Sequence, residues 1–113
     1  MSSQDKIDYI NLFDTCKVLA MDPILSLKME DMGYEIRLEI LYVHGSKVEE
    51  MEMTLIGTDI VLFMYEHYTE FFISTDNGED GGIITNPFES TYYYDFKGTV
   101  ESLLRKEKID KII

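Results

Sequence analysis

Apolar positions in this chain change period near Pro23, and that change predicts most of the fold. Over residues 4–20, Ile7, Ile10, Phe13 or Leu12, Cys16 and Leu19 recur at helical spacing, which predicts an amphipathic helix. Ser2 and Asp5 have the spacing of a capping box, and Pro23 ends the pattern. Beyond it the period becomes two. Leu25, Leu27 and Met29 alternate with Ser26, Lys28 and Glu30, predicting a short strand closed by a turn at Asp31-Met32-Gly33. Tyr34, Ile36, Leu38, Ile40 and Tyr42 then alternate with Glu35, Arg37 and Glu39, predicting the clearest strand of the chain. After a turn at His44-Gly45-Ser46, Met51, Met53 and Leu55 face away from Glu50, Glu52 and Thr54 on another strand.

Asp59–Thr75 is rich in β-branched and aromatic residues, so two strands are expected at 60–65 and 70–75, joined by Glu66-His67-Tyr68-Thr69. A single bent strand or a helix are the alternatives. Residues 76–82, rich in glycine and acid, predict a loop or a wide hairpin tip, and 83–85 and 91–94 a last strand pair around Asn86-Pro87. A second helix is expected from Gly98 to about Lys108, burying Val100, Leu103 and Leu104, with Phe96 just ahead and Asp95 or Thr99 as cap. Short connections favour antiparallel neighbours. The expected architecture is α+β. It is one domain over residues 1–113, an antiparallel β-meander of about four to six strands packed on one face by N-terminal and C-terminal helices.

Charge adds a functional constraint. The chain carries 22 acids against 10 bases, a formal net charge of −12. From Val48 to Phe96 it holds eleven Asp and Glu, ten Tyr and Phe, and no Lys or Arg. Unneutralised like charges repel, which suits a basic partner and opposes direct contact with nucleic acid or an anionic membrane. Solubility alone accounts for acidity of this size equally well. Half of the bases lie in the segment Lys97–Lys111. Cys16 is the sole cysteine, so an internal disulfide and a thiolate metal cage are excluded. The start of the chain lacks a basic-then-apolar leader, and a cytoplasmic location is expected.

Catalytic and cofactor motifs are missing from the sequence. Matched to a calcium loop from Asp76, Asp80 and Gly81 fit, but Gly78 and Pro87 stand where ligands are required. His44 and His67 lack the spacing of a zinc site. Ser90 has no glycine-flanked elbow, and pairs among so many carboxylates are not specific to acid–base chemistry. Gly78, Gly81 and Gly82 flank Glu79 and Asp80, which repel phosphate. No enzyme activity, metal or cofactor is therefore expected.

The aromatic run Tyr92-Tyr93-Tyr94 is read as a strand, with Tyr92 and Tyr94 on one face and Tyr93 on the other. Tyrosine suits interfaces because it buries much area with few rotatable bonds. Together with Glu66, Glu70, Asp76, Glu79, Asp80, Glu89 and Asp95, these tyrosines form the candidate partner-binding set. The resulting expectation is a small inhibitor of a basic, nucleic-acid-handling protein. An immunity protein or a phage anti-defence protein works by the same physics. The alternative is a ligand-binding or regulatory domain with an apolar pocket between sheet and helices. An unpaired strand edge near Tyr92–Tyr94 would instead serve a homodimer.

Overall fold

The fold is α+β. It is described by a computed structural model covering residues 3–65, 71–74 and 83–107, with backbone alone at 83–85. Helix α1 spans Ser3–Met21 and α2 spans Pro23–Asp31. Strands β1 (Tyr34–Val43), β2 (Ser46–Leu55), β3 (Val61–Tyr65), β4 (Phe71–Ser74) and β5 (Ile83–Thr85) form one antiparallel sheet in chain order. A single 3-10 turn, Pro87–Glu89, leads into α3, Thr91–Lys106.

The N-terminal helix forms as expected, but its buried face is rotated. Tyr9, Leu12, Phe13, Cys16 and Leu19 are buried, whereas Ile7 and Ile10 are each 50% exposed. Tyr9 is the deeper anchor because its hydroxyl accepts from Tyr65 N at 3.1 Å and lies 3.4 Å from Tyr65 O. Burial pushes the Cys16 thiol up, which keeps it protonated and inert.

The expected strand at 25–29 is instead helix α2. Three alternating residues also fit a helix when Leu25 and Met29 are read as i and i+4. The deciding signal is Asp22-Pro23. The Asp22 carboxylate accepts from Ile24 N at 2.9 Å and Leu25 N at 3.2 Å, while proline fits the first helical turn. Pro23 thus ends one helix and starts the next. Gly33, at φ +101°, lets the chain leave α2.

The β1–β2 hairpin forms around His44 and Gly45, whose φ values are 50° and 80°, as a two-residue type I′ turn requires. Its register places Tyr34 opposite Leu55 and Val43 opposite Ser46. Of the strands expected at 60–65 and 70–75, Val61–Tyr65 and Phe71–Ser74 are strands β3 and β4; residues 66–70 and 75–82, with the link and loop expected there, lie outside the described residues.

The pairing expected between 83–85 and 91–94 does not occur. β5 pairs with β4, placing Ile84 opposite Phe72, and Tyr92-Tyr93-Tyr94 belongs to α3. The helical repeat extends backwards as Tyr93, Phe96, Val100 and Leu103, all buried. Gly98, where the sequence reading starts this helix, lies inside it. Ser90 is the cap residue rather than Asp95 or Thr99, and the Thr99 hydroxyl donates to Asp95 O at 2.9 Å. A Cβ added at Gly98 meets nothing within 4 Å. Gly98→Ala should therefore stabilise the protein by about 1 kcal/mol, read as a higher urea midpoint with unchanged slope.

All three helices pack on the inner sheet face. Tyr34, Ile36, Met51, Met53, Leu62, Met64 and Phe71 supply that face of the core. Phe96 meets Tyr34 edge-on at 5.1 Å, and Tyr93 meets Phe71 edge-on at 5.8 Å. Lys17 of α1 pairs with Glu49 at 2.9 Å, and Lys28 of α2 pairs with Glu107 beyond α3. Among the described residues, no helix is long and apolar enough to cross a membrane.

Candidate functional site

Half of the ten residues singled out in the sequence belong to the described residues. Glu66, Glu70, Asp76, Glu79 and Asp80 lie outside the described residues. Glu89 is exposed on the 3-10 turn, and Asp95 is exposed on α3. Tyr92 and Tyr94 share no face, because a helix turns through about 200° over two residues. Tyr92 is half-buried, Tyr94 is exposed, and Tyr93 sits in the core. No strand edge exists there.

The stronger constellation lies on the outer face of the sheet, which carries no helix among the described residues. The hairpin register sets it. Glu39 stands opposite Glu50, and Glu50 opposite Tyr65. One pair along, Arg37 stands opposite Glu52, Glu52 opposite Phe63, and Phe63 opposite Phe72. Alternation puts all of them on the side opposite Met51 and Met53. The β1–β2 half of this face is acidic, and the β3–β4 half is aromatic. Phe63 and Phe72 meet edge-on at 6.0 Å, and both stay half-buried.

Arg37 is the one base on this face among the described residues. It donates to Glu52 from Nε at 3.1 Å and from Nη2 at 2.6 Å, and reaches Glu39 at 2.9 Å. These carboxylates therefore already hold a guanidinium within their own fold. Among the described residues, no group of three or more His, Cys, Asp or Glu could hold a metal ion.

Glu50 is the most constrained of these acids, with only 8% of its surface exposed. Burial pushes its carboxyl above the ordinary 4.5 and Glu52 and Glu39 push it further, while a hydrogen bond from Tyr65 and the charge of Arg37 oppose them. Between the unfolded and folded values the native state holds more protons, so stability falls as pH rises through that window. Ionised Glu50 thus weakens the fold at neutral pH. Glu50→Gln should raise stability at pH 7 by about 0.5–1 kcal/mol, judged from relief of a like-charge pair. Thermal melts across pH should show the gain vanishing below about pH 4.5, where wild type is protonated in both states.

On the other side, side chains fill the space between sheet and helices, including Met29, Met51, Met53 and Met64. A groove of about 170 Å³ runs between α1 and α3, floored by Leu12, Val100 and Leu104 and rimmed by Asp8, Lys97 and Glu101. That is smaller than the roughly 300 Å³ at which small-molecule sites begin.

The sequence contained the signal for the outer face. A two-residue hairpin at His44-Gly45 fixes the pairing of Glu39 with Glu50, and alternation fixes the shared side. In comparisons with known proteins, no family model, no curated protein and no solved structure matches the chain.

Proposed function

We propose that this chain is a non-enzymatic binding module whose outer sheet face covers a basic surface on another protein. Its partner would be a nucleic-acid-handling protein, inhibited in the manner of an immunity protein or a phage anti-defence protein. The observation that carries this reading is Glu50, a carboxylate kept nearly buried between Glu39 and Tyr65 at a cost to the fold. A cation from a partner would neutralise it, and the half-buried Phe63 and Phe72 would add apolar contact beside it. Charge of one sign speeds encounter and deters wrong partners, while buried aromatic contacts slow release.

The test is a tagged pull-down from source-cell lysate at low and high salt, followed by titration of the purified partner. A stoichiometric basic partner whose affinity falls steeply with salt supports the reading. Affinity indifferent to salt, or no retained protein at low salt, overturns it.

A further inference from the structure

Among the described residues, β1 is the first strand of the sheet, so one of its edges pairs with no other strand. Ile56 N donates to Gly33 O at 3.0 Å, one step beyond the Tyr34–Leu55 pair. In an antiparallel ladder such bonding recurs at every second residue. The odd positions of β1 therefore bond to β2, and Tyr34, Ile36, Leu38, Ile40 and Tyr42 aim their N–H and C=O groups off the free edge. Natural sheets normally protect such an edge with a short strand, a bulge or proline. This strand is ten residues long and pairs with β2 without a bulge, and it ends in four consecutive apolar residues. Ile40, Leu41, Tyr42 and Val43 are 48%, 37%, 75% and 47% exposed. Ile24 and Leu27 of α2, which packs on β1, are also exposed, at 66% and 60%.

The order of side chains along β1 identifies the occupant. In an antiparallel pairing of two copies centred on Leu38, Ile36 faces the partner's Ile40 and Tyr34 faces the partner's Tyr42. Arg37 then faces the partner's Glu39, twice by symmetry and at the closer, non-hydrogen-bonded spacing. Moving the centre to Arg37 or Glu39 opposes like charges. Centring on Ile36 leaves the exposed residues Leu41–Val43 unpaired.

We propose that a second copy of this chain pairs antiparallel along the free edge of β1, centred on Leu38, to give a two-fold dimer with one continuous sheet. This inference is independent of the basic-partner reading. The dimer would also bring the two acidic half-faces together at its centre. Because each chain carries a net charge of −12, added salt screens repulsion between copies and should favour the dimer, opposite to its effect on a basic partner.

Sedimentation equilibrium across a concentration series at moderate salt tests the proposal. Wild type should dimerise. Arg37→Glu and Glu39→Arg alone should each weaken the dimer at least about tenfold, by placing two like-charge pairs at the interface. Mixed in equal amounts, the two variants should form a one-to-one heterodimer, because their charges are then complementary. Ile40→Pro should also give a monomer, since it removes an outward N–H without touching the bonds to β2. Hydrogen exchange supplies a readout that needs no variant, with Ile36, Leu38 and Ile40 amides gaining protection as protein concentration rises. A wild type that stays monomeric, a dimer insensitive to both charge reversals, or edge amides with concentration-independent exchange would overturn the proposal.

Discussion

Tyr93→Ala should cost about 3–5 kcal/mol, the range for removing a large aromatic from a packed core. Tyr93 is 1% exposed and joins four parts of the molecule. Its ring stacks on Tyr9 of α1 at 6.0 Å and meets Phe71 of β4 at 5.8 Å, Phe88 of the 3-10 turn at 5.7 Å and Tyr94 at 5.1 Å. Removing the ring would leave a cavity at the junction of helices and sheet. Tyr93→Phe should behave in the opposite way. The Tyr93 hydroxyl is buried with no hydrogen-bond partner among the described residues, and burial pushes its phenol up. Deleting it keeps the ring contacts and should be neutral or stabilising by about 1 kcal/mol. Urea unfolding of both variants checks this. A large loss with phenylalanine would mean that the hydroxyl, rather than the ring, holds the junction.

Glu50→Lys should weaken binding to a basic partner by about 2–5 kcal/mol, roughly thirtyfold or more, while leaving the fold intact. The reversal places a cation where a partner's cation would sit, and the site is nearly buried, so solvent screens the clash poorly. Within the free protein the same change relieves Glu39 and Glu52, and the longer side chain can extend its ammonium towards water. The melting temperature should therefore hold or rise as affinity collapses. Isothermal titration with the captured partner, beside thermal melts of the free variant, separates the two effects. Unchanged affinity would remove Glu50 from the interface.

Most of the fold was legible in the sequence because its hairpins are local. The alternation over Tyr34–Tyr42 and the turn read at His44-Gly45-Ser46 fix strand type and antiparallel pairing, whereas the register follows from the structure, in which Ser46 already pairs with Val43. Two segments misled, each for its own reason. Leu25, Leu27 and Met29 make too short a run to separate a period of two from a helical repeat, and the Asp22-Pro23 cap decides it. Tyr92-Tyr93-Tyr94 favours strand by propensity, but burial of Tyr93, Phe96, Val100 and Leu103 on one stripe outweighs that preference. The candidate site shifted accordingly. Its tyrosines lie on α3 with Tyr93 in the core, and a separate set of acids, Glu39, Glu50 and Glu52, lies across the sheet.

The sequence by itself determined the sign of charge, the α+β class and the antiparallel pairing of strands joined by short turns. Each follows from neighbours along the chain. Only the tertiary structure decided which sheet face the helices cover, and hence that Glu50 is nearly buried while Tyr42 is 75% exposed. Exposure belongs to packing between distant elements, and local periodicity shows that two faces differ without showing how much of either one is covered.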